Sequence, residues 1–256
     1  SVETSNEFTV VHSRKAEESI VSHFRVARVL TPPHHRLERT ALSGELTRFN
    51  FDVLHSPDFI PPRRGARRHV ITVHDLAFLH FPEHKDIASL QYYRDQIKAA
   101  VVHADHILSV SEATKKELID MLNVPANKIT IQPHGIDPRF KAYSPRKRKT
   151  LGTMLSNYEG LPDRFILFVG TFEPRKNIPC LLDAYEMLPR EVRDEYALLL
   201  VGQPGWLFEE TMLRIEVMQG AGYRIQVQSN VSDAALVDIY NVASVVVLPS
   251  FYEGFG

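Results

Sequence analysis

Residues 165–177 read FILFVGTFEPRKN: five apolar residues (Phe165, Ile166, Leu167, Phe168, Val169) end on Gly170, and Arg175 and Lys176 follow within six positions. A short apolar run bounded by turn residues suits a strand covered on both faces, and ligands of open α/β sheets bind just beyond the carboxyl ends of such strands. The basic pair stands where a ligand would be. Lys offers a phosphate a point charge and Arg a planar fork, so a diphosphate is the natural guest. A solvated turn carrying two surface cations is the plainer alternative.

The same rhythm continues outward from this stretch. Downstream, strands are expected at 196–202, 223–227 and 245–248, alternating with helices at 178–188, 206–219 and 233–242, the last capped by Ser232. Upstream, 8–12 and 24–30 read as strands and 40–49 as a weak helix, with Gly44 against it. Strands follow at 51–56, 69–76, 106–111 and 128–133. Ile87, Leu90, Tyr93, Ile97 and Val101 give 86–103 the spacing of an amphipathic helix, and Ser111 is placed to cap a helix at 112–122. Strand alternating with helix means parallel, doubly wound sheets.

The composition changes after Phe140. Pro145, Gly152, Gly160, Pro162 and the basic block 146–149 carry no sustained period, so 141–163 is expected to be a solvated linker. It would join a domain at 1–140 to one at 164–256. The fold class is therefore α/β, with two Rossmann-like halves facing across a cleft lined by strand ends and glycine turns. The chain opens at Ser1 and stops at Gly256 in a glycine turn directly after a strand, so both domains are expected to be incomplete pieces of a longer protein.

A chain of 256 residues with 44% apolar and 24% charged residues is ordinary for a globular protein, and a net charge of −1 gives no general attraction to nucleic acid or anionic lipid. The single cysteine, Cys180, excludes an intramolecular disulfide and any multi-cysteine metal site. No apolar run reaches the length of a membrane span, and the opening SVETSNEF resembles no signal peptide. The expected location is the cytoplasm, with peripheral contact at the inner face of the membrane left open.

Three glycine turns follow apolar strands in the second half: Gly170, the pair Gly202 and Gly205, and the pair Gly254 and Gly256 around Phe255. Glycine lets backbone amides approach a phosphate, so three such turns beside Lys176 point to a nucleotide or nucleoside diphosphate. The alternative is that each glycine merely ends its strand. No Asp-x-Asp occurs anywhere in the chain, and no metal site is expected.

Taken as a set, VGTFEPRKNIPCLLDAY, LLLVGQPGW, VSDAALVDIYNVASVVVLPSFYEGFG, FDVLHSPDFIPP, VITVHDLAFLHFPE and ILSVSEATKKEL resemble the retaining glycosyltransferases of family 4, which have the GT-B fold. The resemblance covers about 51–256 in order and spacing. It implies a sugar transferred, without a metal or other cofactor, from a GDP- or UDP-linked donor to a saccharide or lipid-linked saccharide, as in mannosyltransferases. It assigns Lys176 to the diphosphate, Glu253 to the donor sugar hydroxyls and His74, at the end of VITVH, to the acceptor-side domain near the donor sugar. Gly170, Thr171, Arg175, Gly202, Gly254, Phe255 and Gly256 would complete the donor site. The chain departs from many relatives at Thr171, where they carry Arg, and Arg175 is the candidate replacement. A second family glutamate would fall beyond Gly256. The alternative function is a non-catalytic GT-B-like module that binds a nucleotide or partner.

Overall fold

The structure, a computed structural model, describes residues 6–13, 24–31, 38–84 and 87–256; position 86, the expected start of a helix, lies outside them. The chain divides into two compact units, one made of Ser1–His80, Lys85–His134 and Gly254–Gly256, the other of Phe81–His84 and Gly135–Glu253. Among the described residues no helix is long and apolar enough to cross a membrane.

In the first unit β1 (Thr9–Ser13) pairs in parallel with β2 (Arg25–Val29), and α1 (Glu38–Leu46) follows. Then come β3 (Phe51–Ser56), β4 (Ala66–Val73), α2 (Ala77–His80), α3 (Ile87–His103), β5 (His106–Ser109), α4 (Glu112–Leu122) and β6 (Ile129–Ile131). Strands β3-β4-β5-β6 form a parallel sheet in that order. Alternate residues Ile71, Val73, Ile107 and Ile129 point to one face, where Ile97, Ala100 and Val101 of α3 and Leu118 of α4 bury them. The opposite face mixes apolar Val70 and Leu108 with polar pairs, His55 on Thr72 and His106 on Thr130, each at 2.8 Å. Ser111 caps α4, its Oγ accepting from the Thr114 amide at 3.1 Å, and Asn123 ends the helix at a φ of 55°.

In the second unit α5 (Pro145–Glu159), β7 (Phe165–Val169), α6 (Ile178–Glu186), α7 (Arg190–Glu195), β8 (Ala197–Val201), α8 (Glu209–Gly220), β9 (Ile225–Gln228), α9 (Asp233–Val242) and β10 (Val245–Val246) build a parallel sheet of order β10-β7-β8-β9. Both its faces are apolar. Phe168, Leu198, Leu200 and Ile225 pack against α6 and α8 through Leu182, Tyr185, Ile215 and Met218. Phe165, Leu167, Ala197, Leu199 and Val201 pack the other way, against Leu161, Leu151 of α5 and Leu236 and Ile239 of α9. Each large side chain so buried contributes roughly 1.5–3 kcal/mol.

Within the linker expected at 141–163 lies a helix that was not anticipated, α5, which packs with α9 on one face of this sheet. Its signal was weak for physical reasons. Pro145 stands at the first helical position, where its missing N–H is harmless, and Gly152 and the exposed block 146–149 leave little apolar period to read. Residues 141–143 are fastened to α9: Asn241 accepts from the Tyr143 amide at 2.7 Å and donates to the Lys141 carbonyl at 3.1 Å. The helix expected from position 206 starts at Glu209 because Leu207 has a φ of 53°. The strand expected over 245–248 is shorter, and α7, with no buried residue, offered no period at all.

Close approach explains Gly202. A Cβ on Gly202 would stand 1.9 Å from the Gly170 carbonyl oxygen, so only glycine lets the turns after β7 and β8 touch. Gly202→Ala should therefore cost about 1–3 kcal/mol, while Gly152→Ala, with nothing within 4 Å of the new methyl, should be neutral or stabilising. Thermal unfolding of the two variants, compared with wild type, checks this.

A second consequence concerns pH. His69 is 5% exposed with an unpartnered Nδ1, and its ring lies 4.9 Å from that of His103. Burial, and then the His103 charge, push its pKa down against the opposing pull of Asp105 and the Ala66 backbone. The unfolded chain therefore binds the proton better, and stability falls as pH drops below the ordinary histidine value of about 6.5. His69→Leu should flatten the loss of thermal midpoint between about pH 7 and pH 5. Parallel falls in wild type and variant would show that His69 does not set it.

Candidate functional site

The strand order of the second unit reverses beside β7: from β7 the chain steps outward to β8 and β9, then returns to place β10 on the other side of β7. Loops leaving β7 and β10 therefore diverge at the carboxyl end of the sheet, the place where open α/β sheets bind ligands. The β7 loop is held on both sides. Phe172, 1% exposed, donates its amide to the Gln203 carbonyl at 2.9 Å and accepts from the Gly205 amide at 3.0 Å. On the β10 side, the Phe251 amide donates to the Arg175 carbonyl at 2.9 Å, and the Asn177 side chain donates to the Pro249 carbonyl at 3.1 Å.

Between these loops four charged side chains meet. The Arg175 Nε lies 2.6 Å from the Glu173 carboxylate, and its Nη1 lies 3.0 Å from Glu253 Oε2 and 3.3 Å from the Tyr252 carbonyl. Lys176 Nζ donates to Glu253 Oε1 at 2.5 Å, where the Ser250 hydroxyl also donates, at 2.7 Å. The side chains of Arg175, Lys176 and Glu253 keep only 19%, 13% and 21% of their exposure, so water screens these pairs less than surface pairs. Burial alone would raise the Glu253 pKa; the hydrogen bonds from Lys176 and Ser250 and the charges of Lys176 and Arg175 outweigh it and hold the carboxyl below its ordinary value. Glu253 is thus the shared counter-ion of both cations.

The glycine turns behave differently from the expected phosphate cradle. The Gly170 amide donates to Val201, that of Gly202 to Gln228 and that of Gly205 to Phe172, each to a carbonyl within the sheet turns. Their amides are committed to backbone, and what these positions require is the missing Cβ. Thr171 is exposed, with its methyl 2.8 Å from where a Gly205 Cβ would stand. Arg175, the candidate second cation, reaches the shared carboxylate from the next turn.

His74, directly after β4 in the first unit, is fixed by two contacts. One ring nitrogen, Nε2, lies 2.8 Å from the Pro57 carbonyl and must donate to it. Its Nδ1 lies 3.3 Å from His134 Nε2, and the two rings stack 5.2 Å apart at 18°. Gly254 and Phe255 belong to this unit. The Gly254 carbonyl accepts from the Ser111 hydroxyl at 2.5 Å and from Thr114 at 3.2 Å, a Cβ on Gly254 would fall 2.0 Å from the His74 carbonyl oxygen, and Phe255 meets His134 edge-on at 5.2 Å. Gly256 has a φ of 101° and open space where a Cβ would stand.

Of the residues anticipated from sequence, Gly170, Thr171, Arg175, Lys176, Gly202 and Glu253 thus gather at one end of the second unit's sheet, while His74, Gly254, Phe255 and Gly256 belong to the first unit. Glu173, Ser250 and His134 were not anticipated. An acid two positions before Arg175 and a serine three before Glu253 were signals available to find the first two. Among the described residues no three His, Cys, Asp or Glu side chains gather as a metal site would need.

Comparison with known proteins agrees with this architecture. Residues 6–140 match the profile of Glycosyltransferase Family 4 and residues 156–256 that of Glycosyl transferases group 1. The chain is 34% identical over 204 residues to O-antigen chain mannosyltransferase B of Escherichia coli, covering 80% of this chain and 52% of that protein, so it spans about half the length of that relative. Among solved structures it resembles sucrose-phosphate synthase from Thermosynechococcus elongatus (TM-score 0.67, 21% identity, 91% of this chain and 62% of that one). It also resembles Anabaena HepE in complex with UDP-glucose (TM-score 0.67, 18% identity, 91% and 63%). These likenesses establish the fold, GT-B. The chain belongs to Glycosyltransferase Family 4, whose profile covers more than half of it, and its second part matches the group 1 glycosyl transferase profile.

Proposed function

We propose that the protein moves a sugar from a nucleoside diphosphate sugar to a hydroxyl of a saccharide or lipid-linked saccharide, with retention at the anomeric carbon and without a metal on the diphosphate. The observation that carries this is the convergence of Lys176 and Arg175 where the strand order of the second unit reverses. Charge on the leaving diphosphate grows in the transition state, and two fixed, half-buried cations stabilise it there. The mannosyltransferase relative and the UDP-glucose-bound neighbour support a GDP- or UDP-linked hexose donor. Residues 1–140 would serve the acceptor side and 164–256 the donor, with the protein working in the cytoplasm at the inner face of the membrane.

In this reading the acceptor oxygen bonds the anomeric carbon on the face from which the phosphate oxygen departs. The acceptor proton passes to that phosphate oxygen. Glu253 accepts hydrogen bonds from donor sugar hydroxyls. His74, with Nε2 donating to Pro57 and Nδ1 beside His134 Nε2, has an orienting role. His74→Ala in the full-length protein should lower turnover while leaving nucleoside diphosphate affinity nearly unchanged, as calorimetry would show; lost affinity with intact turnover would reject the role.

Turnover should survive excess EDTA, because the proposal gives the charge of the leaving group to Lys176 and Arg175 and none to a divalent ion. Lys176→Ala should cost about 2–4 kcal/mol of transition-state stabilisation, the scale of one preorganised donor. Assaying both proteins with and without chelator decides: activity abolished by EDTA and restored by magnesium or manganese rejects the mechanism.

A further inference from the structure

We infer that Glu253 is a returning counter-ion that makes the site prefer a sugar nucleotide over the free nucleoside diphosphate left after transfer. In the free site it holds Lys176 and Arg175; a donor's diphosphate displaces it, and when the sugar has gone it reclaims the cations and drives the diphosphate out. The inference rests on the reading that a nucleoside diphosphate sugar binds beyond β7 and β10.

The geometry sets up the competition. Both Glu253 oxygens are engaged, Oε2 by Arg175 at 3.0 Å and Oε1 by Lys176 at 2.5 Å and Ser250 at 2.7 Å. Arg and Lys offer phosphate oxygens the same forked and point-charge contacts that they offer a carboxylate. An incoming diphosphate and Glu253 therefore ask for the same donors. They cannot share them cheaply, since Lys176 and Arg175 are already balanced by Glu253 and Glu173 and an added polyanion would face a like charge at close range.

Displacement has unequal consequences for the two ligands. A carboxylate at 21% exposure that loses Lys176 needs new hydrogen-bond donors, because little water reaches it. A sugar nucleotide brings hydroxyls that supply them. A free nucleoside diphosphate lacks that sugar and its hydroxyls, so its apparent affinity is lowered by the full competition with Glu253. Ser250 holds the carboxylate by a contact that does not involve the cations, and so biases it toward its closed position without contacting phosphate.

The test is calorimetric titration of the full-length protein, without acceptor, using GDP, UDP, GDP-mannose and UDP-glucose. Glu253→Gln removes the competing charge at nearly unchanged shape. It should bind whichever free diphosphate the wild type accepts about tenfold more tightly, the scale of one charge-assisted contact, and the sugar nucleotide no more tightly. Preference for sugar nucleotide over free diphosphate should then collapse by about the same factor. Ser250→Ala should shift both in the same sense but less, and decides the matter if Glu253→Gln does not fold. Equal or weaker binding of the free diphosphate by both variants overturns the inference. Lys176→Ala separates the two levels of failure: if it loses the diphosphate while Glu253→Gln changes nothing, the donor-site reading stands and the counter-ion role falls. If wild type binds none of the four ligands, both fall.

Discussion

Apolar side chains on both faces of β7 and its neighbours are the constraint from which the second unit follows. A strand so dressed must lie inside a sheet with cover on each side, and parallel strands reach that state only through crossovers. The helices α5, α6, α8 and α9 are those covers, and their ridges exclude polar function from both faces. What remains for chemistry is the rim of loops at the carboxyl ends, and the reversal of strand order next to β7 opens a place between two of them. The charged group at Arg175, Lys176 and Glu253 therefore sits where the packing leaves room.

Much of this was legible in the chain itself. Continuous apolar strands at 165–169 and 197–201, capping serines at 111 and 232, and helical spacing at 178–186 and 233–242 each state their element through local physics. Lys176 and Glu253 were legible as a family pattern, and Arg175 as a second cation. Their joining through one carboxylate was not, because it depends on two loops 77 residues apart in sequence meeting at 2.5 Å. Helix α5 was lost for the opposite reason: its apolar contact at Leu151 comes just after the exposed basic block 146–149, which reads as a linker.

The glycines show how one residue type can answer two different demands. Gly170, Gly202 and Gly205 fall at the turns where a phosphate cradle was expected, yet their amides end in backbone carbonyls and two of the three are needed because a methyl would collide with backbone at under 3 Å. Close packing of turns and anion binding both select glycine. Only the direction of the N–H distinguishes them, and a sequence does not record it. His134 is a similar case: as one histidine among 12 it has no signal, and its importance lies in the nitrogen it turns toward His74.

Pairing of the two cations in the free protein is itself required by the fold. Two like charges held at 13% and 19% exposure repel and are poorly hydrated, and each would cost several kcal/mol without a partner. Glu173, 6% exposed and locked to Arg175 Nε, answers Arg175; Glu253 on the β10 loop, itself held by Ser250, answers Lys176 and shares Arg175. Affinity for an anionic ligand is then a difference between two counter-ions, not the sum of its contacts. The anchored acid keeps Arg175 aimed whichever anion is present, and the acid on the loop is the one that can be exchanged. An arrangement with both acids buried would be too well balanced to bind phosphate, and one with neither would be poorly stable before phosphate arrived. Placing one acid in the core and the other on the loop after β10 meets both demands with four side chains.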